Sequence, residues 1–132
     1  MGSDYREQLQ RYTNRSVSGH VTAAATGTTA VIANRAGWTT YIQRIAVNVI
    51  TSAAQTAIFQ SITTDIPLFT LPSTPGVGDR DVDFGPEGYA LPAGEGLEYI
   101  LSGAGNAFSY SITAYQKLTP NTSISLASLQ SS

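Results

Sequence analysis

Asp79, Asp81 and Asp83 alternate with Arg80 and Val82 and make the densest run of chemistry-bearing side chains in the sequence. On a β-strand these three acids point the same way, about 7 Å apart at successive steps. Such a row can hold Ca²⁺ with help from a loop, or meet an arginine of a neighbouring subunit. It is not an EF-hand: the glycine comes one position late, at Gly85, and Ala90 stands where the bidentate glutamate belongs. A glycosidase pair needs two carboxylates flanking a sugar, and acids aligned along one exposed strand face do not flank anything.

The other catalytic chemistries lack their residues. His20 is the single histidine, and it alternates with Val21 on a polar face with Thr22. A Ser-His-Asp relay would have to use it, yet no nucleophile-elbow sequence is present. There are no cysteines, which removes disulfides, thiolate chemistry and cysteine-held zinc. No glycine pattern of the dinucleotide or phosphate-loop kind occurs. The expectation is a chain that is not an enzyme and needs no cofactor. Trp38, Tyr89 and Tyr115 remain as candidate surface aromatics for stacking on a sugar or for a subunit contact, whereas Tyr41, Tyr99 and Tyr110 fall on predicted inner faces.

Charge narrows the partners. Charged residues are only 12% of the chain, about half the usual share, as expected where neighbours cover much of the surface. The net charge of −2 lacks the basic footprint of a nucleic-acid binder. The distribution is uneven. Arg6, Arg11, Arg15, Arg35 and Arg44 against Asp4 and Glu7 give the leading third +3. Asp65, Asp79, Asp81, Asp83, Glu87, Glu95 and Glu98 against Arg80 give the middle −6. Oppositely charged segments of this kind dock onto each other or onto neighbours. No apolar run is long enough to span a bilayer as a helix. The first residues carry no apolar segment of a secretion signal, so the sequons at Asn14 and Asn121 are read as chance.

The elements that would position these residues are strands. Residues 1–16 are read as an N-terminal arm, with a short helix over 3–13 that puts Tyr5, Leu9 and Tyr12 on one face. Residues 17–117 alternate with period two. Thr40 to Ile50 predicts Tyr41, Gln43, Ile45, Val47 and Val49 on one face, with Ile42, Arg44, Ala46 and Asn48 on the other. Leu97, Tyr99 and Leu101 form a second face, and Phe108, Tyr110, Ile112 and Ala114 a third. Gly103–Asn106 reads as a hairpin turn, Pro72–Gly78 as a loop, and two Gly-Pro clusters bracket a short strand at Tyr89–Leu91. The expected fold is all-β: one sandwich or jelly roll of about eight antiparallel strands. Residues 118–132 are read as an extended Ser-rich tail in which Ile124 and Leu126 alternate with serines, which fits a frayed terminus or one strand added to a neighbour.

Four stretches carry a resemblance: Thr40 through Gln60, Asp83-Phe-Gly-Pro-Glu-Gly88, Leu91-Pro-Ala-Gly-Glu-Gly-Leu97, and Ser111-Ile-Thr-Ala-Tyr-Gln-Lys117. Together they resemble small β-sandwich virion proteins of tailed bacteriophages, most of all head decoration (cement) proteins. The resemblance runs from Trp38 to Leu118 and leaves out the arm and the tail. It implies a protein on the outer capsid surface that contacts the major capsid protein and copies of itself, as a trimer, with no nucleic acid and no membrane among its partners. It transfers no catalytic residues. The interface residues expected on these grounds are Tyr5, Arg6, Leu9, Arg11, Tyr12, Arg15, Trp38, Asp81, Asp83, Ile124 and Leu126. The competing expectation is a carbohydrate- or receptor-binding sandwich of a phage tail or fibre, which would use an aromatic platform at Trp38 with Tyr89 or Tyr115.

Overall fold

A computed structural model describes residues 12–22, 26–72, 74–103 and 105–119. The strands in chain order are β1 (Tyr12–Asn14), β2 (Val17–Val21), β3 (Gly27–Ile32), β4 (Trp38–Thr51), β5 (Ala57–Ser61), β6 (Pro67–Leu71), β7 (Gly78–Asp83), β8 (Tyr89–Ala90), β9 (Leu97–Leu101) and β10 (Ala107–Leu118). All pairings are antiparallel. The six-stranded sheet runs β1-β10-β4-β7, with β2 also on β10 and β8 also on β4; the four-stranded sheet runs β3-β9-β5-β6.

Two of the edges are strands interrupted in the middle. β1 and β2 lie end to end along β10, and β7 and β8 lie end to end along β4. At the first break the Arg15 N–H donates to the Ala114 carbonyl at 2.9 Å, and the Ala114 N–H donates to Ser16 Oγ at 3.2 Å. At the second, Asp83 Oδ1 accepts the Gly85 N–H at 2.7 Å. The ten strands therefore occupy eight lanes, in the order 1-8-3-6 in one sheet and 2-7-4-5 in the other. That order is the double Greek key of a jelly roll, and the sandwich expected from the alternation is the fold observed.

Three local expectations change. In β4 the pairing with β10 slips between Arg44 and Ile42, leaving Gln43 as an extra residue. A bulge of this kind shifts the side-chain phase by one. Ile45, Val47 and Val49 face the core as expected, but past the bulge Thr40 and Ile42 are buried while Tyr41 and Gln43 are not. Tyr41 is thus on the outer face and not in the core. Next, Gly103–Asn106 does not close a hairpin. It carries the chain from β9 in one sheet to β10 in the other, and turn residues mark a reversal without fixing which strands pair. Asn106, fully buried, pins this crossing: its amide donates to the Gln55 carbonyl at 2.6 Å and its N–H to Gln55 Oε1 at 2.6 Å. Finally, Tyr12 and Thr13, read as the end of a helix, pair as strand with Lys117 and Gln116. So short a helix is marginal alone, and for Tyr12 and Thr13 the ladder on β10 satisfies the backbone groups instead.

The core lies between the sheets. Phe59 from β5 is fully buried and touches four rings: Phe69 at 6.2 Å, Tyr99 at 5.8 Å, Phe108 at 6.3 Å and Tyr110 at 5.8 Å between centroids. Burying one such side chain is worth about 1.5–3 kcal/mol, and the chain has no disulfide to add to what its core supplies. Tyr110 lies directly over Gly19 of β2, its cross-strand partner, and a Cβ there would overlap the phenol ring. Burial, with Tyr99 beside it, pushes the Tyr110 hydroxyl above its ordinary pKa.

Candidate interface surface

The outer face of the six-stranded sheet is built by period-two positions of three strands. β10 contributes Ser109, Ser111, Thr113, Tyr115 and Lys117; β4 contributes Tyr41, Arg44, Ala46 and Asn48; β7 contributes Asp79, Asp81 and Asp83. The acid row does point one way, and all three carboxylates are exposed. Each has a partner within the chain. Arg44 Nη2 meets Asp81 Oδ2 at 2.8 Å and its Nε donates to the same oxygen at 3.0 Å. Asn48 Nδ2 donates to Asp79 Oδ1, and Asp83 holds the Gly85 turn. Among the described residues no three acidic or histidine side chains converge on a point that could hold a metal. Between the Arg44–Asp81 pair and Ser109 and Ser111 lies a shallow groove of about 380 Å³. His20 is exposed on β2 opposite Ser109, and no hydrogen bond joins the two.

The other end of this face is aromatic and basic. Tyr41 and Tyr115 stack with centroids 5.0 Å apart and planes 7° from parallel. The Lys117 ammonium lies 5.1 Å from the Tyr41 ring centre, and the Tyr115 hydroxyl donates to the Glu87 carbonyl at 2.7 Å. Trp38 and Tyr89 do not join them. Trp38 shares the phase of the buried Thr40 and Ile42, and Tyr89 pairs with Ile42 and packs on Phe84 at 5.7 Å. The aromatics nominated for a sugar platform are thus divided between opposite faces of the sheet.

Trp38 belongs to a polar network at the end of the sandwich. The Arg35 guanidinium covers its ring at 3.8 Å and donates to Gln116 Oε1 at 3.2 Å, while Gln116 Nε2 donates to Thr40 Oγ1 at 2.8 Å. Nearby, the loops 33–37, 62–66 and 91–96 border an open depression of about 580 Å³ lined by Asn34, Thr63, Glu95 and Thr119. Burial alone would raise the Glu95 carboxyl. Hydrogen bonds from the Thr64 and Thr63 N–H groups and from the Thr64 and Ser61 hydroxyls outweigh it and hold the group below the ordinary range. Glu98 is also buried and accepts from Gln60 Nε2 at 2.7 Å; the same amide donates to Asp65 at 2.9 Å.

The acidic surplus of the middle of the chain is therefore less available for docking than the sequence suggests. Glu95 and Glu98 are buried, and Asp65, Asp79, Asp81 and Asp83 are engaged locally. Of the expected interface residues, Asp81 and Asp83 lie on the outer face of the six-stranded sheet, Trp38 under Arg35, and Arg15, half-buried, at the β1–β2 break. Tyr12 starts β1. Tyr5, Arg6, Leu9, Arg11, Ile124 and Leu126 lie outside the described residues. Glu95 carries no sequence signal that separates it from a surface acid, because its donors come from the end of β5 and the turn after it, more than thirty positions away.

The strand order and length invite comparison with solved jelly rolls. A chain of the acid-stable capsid structure of Helicobacter pylori bacteriophage KHP30 superposes with a TM-score of 0.55 at 10% identity, over 82% of this chain and 89% of that one. The two share a fold. A subunit of the disulfide-linked pili of Bacillus endospore appendages (17% identity, 82% and 89% covered) reaches a TM-score of 0.47. The Drosophila NLP core (11%, 77% and 98%) reaches 0.45. Neither of these two adds to the argument. No protein-family model and no curated protein sequence matches the chain.

Proposed function

We propose that this chain is a non-enzymatic structural protein of a virion, one that decorates and stabilises the outer surface of a tailed-phage capsid by contacting the major capsid protein and copies of itself, as a trimer. The observation that carries the reading is the jelly roll shared over most of both chains with a phage capsid chain. The scarcity of charge agrees with a surface meant to be covered. So does the placement of the termini. Tyr12 pairs with Lys117, and the Thr119 N–H donates to the Gly37 carbonyl at 2.8 Å, so the described chain begins and ends at the same end of the six-stranded sheet. The rigid sandwich acts as a spacer, the two terminal segments reach a common neighbour, and many weak copies add up through multivalency.

Purification from the native source followed by sedimentation and mass spectrometry tests this. The chain should travel with capsid-sized particles in fixed ratio to the shell protein; a chain that sediments only by itself overturns the reading. Removal of residues 1–11, which spares β1, should lower occupancy on particles without changing the melting temperature. Full occupancy after that deletion would exclude the arm from the mechanism.

A further inference from the structure

Every sheet edge carries backbone N–H and C=O groups with no strand to meet them. Folded proteins block such edges with proline, bulges, breaks or charge. Three of the four edges here are blocked in that way. The β1/β2 edge is broken at Arg15–Ser16. The β7/β8 edge is broken between Asp83 and Tyr89 and carries the row Asp79, Asp81, Asp83. The β6 edge begins with Pro67 and has an extra residue, Leu68, in its pairing with β5.

The fourth edge, β3, differs. Gly27-Thr28-Thr29-Ala30 has no charge, no proline and no irregularity; its bulge comes only at Val31. It pairs with β9 on one side and, among the described residues, with nothing on the other. All four residues are exposed, including Gly27 and Thr29, which pair with the buried Leu101 and Tyr99 and so have the inward phase. A Cβ added at Gly27 would meet no atom within 4 Å. Core-phase positions of an edge strand are open here as they are not on β2, where exposed residues alternate with covered ones.

We infer that the β3 edge is a docking strand for the same edge of a second copy, which joins two four-stranded sheets into one continuous sheet across a two-fold axis. The argument for a second copy is compatibility. Antiparallel self-pairing sets a strand against itself, which like charges forbid on β7 and which uncharged Thr28 and Thr29 favour, Thr–Thr being a stabilising cross-strand pair. An axis normal to the sheet keeps outer faces together, so the outward residues Thr28 and Ala30 of one copy stand opposite Thr28 or Ala30 of the other. The contact is independent of any capsid and can fail or hold separately from the proposed function.

The test uses the full chain in solution. Sedimentation equilibrium should show a monomer–dimer equilibrium below about 1 mM. Hydrogen exchange should show those amides of residues 27–30 that point away from β9 gaining protection as concentration rises. The double variant Thr28→Lys/Ala30→Lys, which alters only exposed positions, should weaken dimerisation by about tenfold or more by setting lysine against lysine. A chain still monomeric at about 1 mM overturns the inference, as does association that the lysines leave unchanged. Protection, already in the monomer, of those amides of residues 27–30 that point away from β9 would assign the edge to another segment of the same chain. Protection only on adding capsid particles would assign it to another protein. Either result also overturns it, and the exchange measurement on the unaltered chain stands even if the lysine variant misfolds.

Discussion

Along β10 the inward residues change character: Phe108, Tyr110, Ile112, Ala114, Gln116. At one end of the sandwich the core is four rings packed around Phe59; at the other it is a chain of directional bonds from Arg35 through Gln116 to Thr40. Both ends are equally closed to water, since Phe108 and Gln116 are 0% and 1% exposed. The means differ. Ring packing depends on area and shape and tolerates small shifts. The polar end depends on every partner being present, because a buried donor or acceptor left alone costs about 1–3 kcal/mol. The polar end is also where the described chain begins and ends, so order there is order at the edge of the proposed contact surface.

Mutations can break this contrast, starting with the aromatic end. Phe59→Ala should have the largest effect, about 3–5 kcal/mol lost in chemical denaturation, since the ring touches four others and leaves a cavity. Gln116→Leu keeps the volume but strands the Thr40 hydroxyl and one Arg35 donor. It should cost about 1–3 kcal/mol, and a double-mutant cycle with Thr40→Val should recover part of it. If Gln116→Leu were neutral, the polar end would be no different in kind from the aromatic one.

Acid offers a gentler probe. The folded Glu95 carboxyl lies below its unfolded value, so its contribution is present above the ordinary carboxylate range and lost as pH falls through the folded value. Glu95→Gln should therefore flatten the acid limb of stability against pH, and an unchanged limb would remove Glu95 from the network. The smallest effect belongs to the outer face. Arg44→Ala should change stability by about 0–1 kcal/mol, an effect that fades with salt, because both partners of that pair are half exposed.

Much of this architecture was legible in the alternation of the sequence. The jelly roll, the short β8 strand between its glycine clusters and the outward row of aspartates all appear as read. The β4 slip was not read, though the sequence holds a trace of it: Gln43 and Arg44 stand together between Ile42 and Ile45, and two adjacent polar residues interrupt a period of two. The partners of Glu95 and Glu98 had no trace at all, since they come from the turn after β5 and the end of that strand. Local pattern reports which side a residue faces; it does not report which distant loop closes over it. The expected contacts at Tyr5, Arg6, Leu9, Arg11, Ile124 and Leu126 stay with the sequence, outside the described residues.

The position of β10 also sets an order of events during synthesis. It is an interior strand of the six-stranded sheet, yet it is the last strand among the described residues, and it pairs with β1 and β2, the first two, as well as with β4. Until residues 107–118 leave the ribosome, β1 and β2 have no lane to join and one flank of β4 is bare. Pairings that span nearly the whole chain are slow to close. The sandwich therefore completes only once residues 107–118 are available, in one late step. A chain cut short before Ala107 is left with an open, apolar sheet rather than a smaller stable domain.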